Sequence, residues 1–125
     1  MNNTEIIKEI TNAFCENRRD QQILDKYFAP GFKHTANGRT TDLKGYSDHL
    51  VRCMAEYKSF KVLDWDELFE AGGKVVTSYT LEGEMDAGGK EQTVVMAIWR
   101  LKDGKVVSLR EVDARLARAG QAASK

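Results

Sequence analysis

The stretch Arg100–Asp113, RLKDGKVVSLREVD, decides how this chain folds. Two strand-like runs flank Asp103-Gly104, a dipeptide suited to the two-residue turn whose twist matches paired strands. The second run places Glu111 and Asp113 on alternate positions. Side chains two apart on a strand share a face, and Leu109 belongs to the same one. A carboxylate on an apolar face is either an acid at the solvent edge or the acid/base group of a pocket.

Working back from the hairpin, the chain reads as strands as far as residue 59. Glu91–Lys102 is rich in Val and aromatic residues, and Ala87-Gly88-Gly89 turns into it. In Lys74–Met85, Tyr79 and Leu81 oppose Thr80, Glu82 and Glu84. Gly72-Gly73 precedes that run, and Phe60–Phe69 is a further strand whose alternation Asp64, Asp66 and Glu67 interrupt. Before Tyr57 the period is helical. Ile6, Ile7, Ile10, Ala13 and Phe14 form one apolar stripe after a start at Thr4-Glu5, and Asn17-Arg18-Arg19-Asp20 breaks it. Ile23, Leu24, Tyr27 and Phe28 mark a short second helix ended by Pro30-Gly31. Phe32–Thr35 is a short extended piece, Asn37-Gly38 a turn, and Gly45–Tyr57 a third helix burying Tyr46, Leu50, Cys53 and Met54. Three helices followed by hairpin-linked strands is an α+β order. The expected organisation is one domain over 1–125, with helices at about 4–57, strands at about 59–113 and a flexible tail at 114–125.

Composition narrows the function classes. The 125 residues suffice for one core. The 19 basic and 19 acidic residues cancel and are mixed along the chain, which argues against a nucleic-acid or acidic-membrane surface. No apolar run approaches the ~20 residues of a membrane-spanning helix, and MNNTEIIKEI lacks the features of a signal peptide. A cytoplasmic protein with two free, buried thiols, Cys15 and Cys53, is expected. His34, His49 and the acids form no recognisable metal set, and the paired glycines mark hairpin turns rather than a phosphate loop. No metal or cofactor is expected.

The order helix, helix, FAPGFKHTANG, helix, then long strands ending in DGKVVSLRE resembles the nuclear transport factor 2-like superfamily. Within it the chain is most similar to the SnoaL-like, polyketide cyclase-related branch, over about Thr4 to Asp113. The resemblance implies a cone-shaped, curved, mainly antiparallel sheet wrapped around the helices, with an apolar pocket at its wide end. It also implies which faces point inward: Phe32 with His34, Tyr79 with Leu81, Ala97 with Trp99, and Leu109 with Glu111 and Asp113. These residues and Tyr46 are the expected pocket, in which His34 and Glu111 converge as a proton-transfer pair.

Carried over position by position, the resemblance implies an incomplete site. Glu111 falls where SnoaL-like cyclases and limonene-epoxide hydrolase place an aspartate. Ala97 falls where the cyclases have a histidine and ketosteroid isomerase has an oxyanion-stabilising acid. Ala36 and Asn12 fall about where that isomerase keeps its aspartate and a tyrosine. Tyr79 and Leu81 occupy the positions of an arginine and an aspartate in the epoxide hydrolase. None of the three constellations is intact.

Each candidate has a plainer reading beside the functional one. His34 can be a hydrogen-bonded structural histidine, and Glu111 can pair with Arg110 or Arg100 on an exposed sheet face. Asp113 can simply solvate the rim. Tyr46, Tyr79 and Trp99 suit a pocket wall, although a tyrosine hydroxyl can donate to a ligand oxygen. Two functions follow. One is a cofactor-free acid/base isomerase, cyclase or hydrolase acting on a small hydrophobic carbonyl or epoxide compound, with Glu111, His34 and Asp113 as catalytic candidates. The other is a non-catalytic module for hydrophobic-ligand binding or dimerisation, with a homodimer formed through the sheet.

Overall fold

The computed structural model describes residues 1–17 and 21–116. Helix α1 runs Asn3–Asn17 and α2 Gln21–Tyr27; β1 (Phe28–Ala36) and β2 (Arg39–Asp42) precede α3 (Leu43–Met54). Four long strands follow: β3 (Tyr57–Ala71), β4 (Lys74–Met85), β5 (Lys90–Lys102) and β6 (Lys105–Arg115). They form one six-stranded sheet in the order β2-β1-β6-β5-β4-β3. Every pairing is antiparallel except β1 with β6, which is parallel. The α+β roll expected from the sequence is therefore present, with helices against one face of a curved sheet.

The opening hairpin forms as its sequence dictates. Lys102 faces Lys105 across the turn, and Asp103 and Gly104 have φ of 54° and 76°. Both values lie in the left-handed region of the type I′ turn, which glycine adopts without cost and aspartate tolerates. Asn37, at φ 49°, and Gly38 turn β1 into β2 in the same way.

Several boundaries differ from the sequence expectation for identifiable reasons. Phe28 opens β1 rather than closing α2, and Pro30-Gly31 lies inside that strand, where the pairing with β6 shifts register between Phe28 and Lys33. The missing proline N–H is accommodated at such an irregularity. Strand β2 is an additional element whose four residues are all exposed, so it carries no apolar signal. Helix α3 starts at Leu43 because the Asp42 side chain caps it, accepting from the Gly45 N–H at 2.9 Å. It ends before Tyr57, which begins β3. Cys53 is exposed rather than buried, and Leu50 and Met54 are partly buried against the core. Ala114 and Arg115 extend β6 and the Leu116 N–H donates to the Gln92 carbonyl at 2.7 Å, whereas residues 117–125 of the expected tail and the break at 18–20 lie outside the described residues.

The imperfect alternation of β3 comes from irregular pairing with β4 at Tyr57/Ser59, Val62/Asp64 and Trp65/Glu67. Each irregularity lets the strand bend and twist locally, which is how a long sheet curls around helices. Inside the curl, Ile6, Ile7, Ile10 and Phe14 of α1 meet Leu24, Tyr27, Phe28, Phe32, Tyr46, Val75, Trp99, Val106 and Leu109. Trp99 satisfies its indole N–H by donating to Thr77 Oγ1 at 3.1 Å within this core. No described helix is long and apolar enough to cross a membrane.

Candidate functional site

Strand alternation on β6 builds the site's wall. Leu109 is buried, Glu111 is partly buried and Asp113 is exposed, so the strand passes from core to mouth along a single face. The parallel pairing sets His34 opposite Leu109 and Ala36 opposite Glu111. His34 and Glu111 are thus diagonal neighbours on the same face. His34 Nε2 lies 2.5 Å from Glu111 Oε2, and the two side chains are 3% and 19% exposed. Glu111 therefore pairs with His34, not with Arg110 or Arg100.

Glu111 lines a cavity of about 600 Å³ that is open to solvent. Tyr46, Leu50, Tyr79, Leu81, Trp99 and Leu109 supply much of its apolar and aromatic wall, while Asp113, Arg52 and Arg115 contribute charge. This combination of apolar lining and a few convergent polar groups suits a small ligand.

The structure brings the sequence-predicted residues together unequally. Tyr46, Tyr79, Leu81, Trp99, Leu109, Glu111 and Asp113 all line the cavity. Phe32, His34 and Ala97 are buried but lie outside its lining. His34 stands behind Glu111, with its ring centroid 4.5 Å from that of Tyr46. Phe32 supports Tyr46 from the core side at 5.3 Å between centroids. Ala97 sits directly opposite Glu111 in the β5–β6 register, and its methyl offers no second polar group. Asp113 is tied to the β1–β2 turn, accepting from Asn37 Nδ2 at 3.4 Å and donating its own N–H to Asn37 Oδ1 at 3.3 Å. That bonding places it at the rim.

Burial governs the electrostatics of the wall. It raises Tyr46 well above the usual phenol value, with the Glu111 charge adding to the effect. Tyr79 is raised by the same two causes in the same order. Both phenols therefore keep their protons and can donate hydrogen bonds. Among the described residues neither hydroxyl has a side-chain partner, yet neither is sealed from solvent. Burial also pushes the Cys15 thiol up to about 11, with Glu16 adding, so it is a poor nucleophile. No group of three or more metal-ligating side chains occurs among the described residues.

Sequence reasoning considered His49 only as a possible metal ligand, whereas the structure places it in the cavity wall. Tyr46, His49, Leu50 and Cys53 recur at helical spacing, and all four line the cavity. That spacing, with an apolar stripe interrupted by one histidine, was the signal that could have found it. Glu91 was also missed: it is buried, accepts from the Tyr57 hydroxyl and lies 3.4 Å from Arg115 Nε.

Comparison with known proteins agrees with this architecture. The chain superposes on IdmH, a proposed polyketide cyclase from Streptomyces antibioticus, with a TM-score of 0.79 at 15% identity, covering 90% of this chain and 92% of that one. For AclR, a proposed hydroxylase from Streptomyces galilaeus, the TM-score is 0.77 at 13% identity, covering 89% and 77%. For an NTF2-like protein from Anabaena variabilis it is 0.73 at 13% identity, covering 92% and 90%. At these identities the likeness establishes the fold. No curated protein sequence matches the chain. The family model for the SnoaL-like domain matches residues 10–109, most of the chain, and the chain belongs to that family.

Proposed function

We propose that the cavity binds a small, mainly apolar carbonyl compound and that Glu111 moves a proton on it without a cofactor. The observation that carries this reading is the Glu111 carboxylate in the cavity wall, held at 2.5 Å by a buried histidine behind it. The His34 Nε2–H donates to Oε2, which fixes the carboxylate's orientation and leaves Oε1 for the ligand. His34 is thus a positioning residue. Tyr79 lines the cavity and keeps its proton, and its hydroxyl supplies a hydrogen bond to the carbonyl oxygen as that oxygen gains charge. Leu81 in the lining cannot activate water, so carbon-acid chemistry suits these residues better than epoxide opening.

Ala97 opposite Glu111 is the observation favouring the second reading, a cavity that binds an apolar ligand without turning it over. A panel of cyclic ketones, lactones, epoxides and matched hydrocarbons tested for thermal stabilisation addresses binding. Ligands that bind the native state raise the apparent melting temperature by mass action. Carbonyl compounds are expected to stabilise more than their hydrocarbon counterparts. Stabilisation by none of them would sink both readings.

The outer sheet face bears on partners. Met96 and Val112 face each other across β5 and β6, are 55% and 53% exposed, and adjoin Ile98. A contiguous exposed apolar stripe is a natural self-association surface, and we propose a homodimer formed through it. Sedimentation at micromolar concentration should show a dimer that Met96→Glu converts to monomer. A monomeric wild-type profile would contradict the dimer.

A further inference from the structure

The gap left by Ala97 on β5 has a candidate replacement on a different element. The structure assigns His49 of α3 as a second hydrogen-bond donor to the ligand's oxygen, facing the wall that carries Glu111. The inference rests on the reading of the cavity as a carbonyl site and adds to it a residue that strand alternation does not reach.

Three placements support it. His49 lines the cavity together with Glu111 and Tyr79. Its ring centroid lies 5.7 Å from that of His34, the residue holding Glu111, so it stands beside the acid/base pair rather than at a remote rim. One helical turn on, Cys53 lies against its ring, with Sγ 3.3 Å from Nε2 and 3.7 Å from Nδ1. With the thiol S–H donating to the unprotonated ring nitrogen, the N–H on the other nitrogen stays available to a ligand.

The surrounding charges set its protonation. Burial lowers its pKa, His34 and Arg52 act in the same direction, and Glu111 and Asp113 oppose them. The net direction is downward, so at neutral and alkaline pH the ring is uncharged and carries one N–H. A neutral donor can stabilise a developing oxyanion without forming an ion pair with the base that takes the proton. Glu111 takes the proton from carbon, the released electron pair forms the carbon–carbon double bond of the enolate, and the carbonyl π pair moves to oxygen. Tyr79 and His49 donate hydrogen bonds to that oxygen.

The test needs no knowledge of the natural ligand. 2-Naphthol, under mildly alkaline conditions in which a substantial share is ionised, presents an aromatic body with an oxyanion. Naphthalene presents the same body without oxygen. Dissociation constants for both are measured with the wild type, His49→Leu and His49→Gln. His49→Leu is expected to weaken 2-naphthol about tenfold or more, the scale of a charge-assisted hydrogen bond, while leaving naphthalene within about twofold. His49→Gln keeps an N–H donor and should recover much of the loss. Equal weakening of both probes would show that His49 only packs, and no change with either would show that the oxygen lies elsewhere. Each of these two results overturns the inference while leaving the cavity reading intact. Failure of the wild type to bind either probe would overturn both.

Discussion

Glu111→Gln is expected to lower turnover of a true substrate by about 100- to 10,000-fold, the range of one positioned acid/base group. The substitution nearly preserves shape. The new amide oxygen can still accept from His34 Nε2, so the side chain stays in the cavity wall, but it cannot take a proton. Ligand binding should therefore change little, and the loss should appear in kcat rather than in the dissociation constant. Removing a negative charge near Tyr46 and Tyr79 also removes one of the causes that raise both phenols. Binding of an oxyanion-bearing ligand should then hold or tighten. A variant that binds its ligand well and turns it over as fast as the wild type would show that the proton goes elsewhere.

The second large effect is on stability. Phe32→Ala should cost about 3–5 kcal/mol, the usual range for truncating a buried aromatic. Phe32 is fully buried, meets Phe28 edge-on at 4.9 Å between centroids and lies against Tyr46 at 5.3 Å. The space left behind is bounded by β1, α3 and the core of the sheet, which cannot collapse without shifting the sheet itself. For a domain of this size the melting temperature should fall by roughly 10–20 °C. Chemical denaturation of the wild type and the variant reads the difference directly. Phe32→Leu should cost much less, because it refills most of the volume. A loss below about 1 kcal/mol for the alanine variant would contradict the core placement.

The residues that resisted reading from sequence share a physical cause. Helix α1, the β4–β5–β6 meander and the Asp103-Gly104 turn rest on local periodicity and turn chemistry, and they emerge close to expectation. Strand β2 is four exposed residues paired at the sheet's edge, and no local pattern marks it. In β3 the register irregularities move acids from face to face, so an alternation that looks faulty belongs to a regular pairing partner. The β1–β6 pairing is parallel and joins residues 77 apart in the case of His34 and Glu111. A contact of that range follows from the closing of the roll, which resemblance implied and alternation alone did not.

The same distinction applies within the site. Alternation grouped Tyr79 with Leu81, Ala97 with Trp99 and Leu109 with Glu111, the resemblance implied that these faces point inward, and Tyr79, Leu81, Trp99, Leu109 and Glu111 line the cavity. It could not say how deep each would sit, so Phe32 and Ala97 passed into the packing and His34 behind its carboxylate partner. Whether the helix face at His49 meets the sheet depends on how α3 docks, which the sequence of α3 does not state.

The central claim is that Glu111 moves a proton on a bound carbonyl compound, and deuterium exchange tests it most directly. Cyclic ketones that stabilise the protein are incubated with it in heavy water, and deuterium at the carbon beside the carbonyl is followed by NMR. The wild type should accelerate exchange at least about 100-fold over the Glu111→Gln variant at equal occupancy. Exchange that is no faster with the wild type than in buffer, for ketones shown to bind, would contradict the claim.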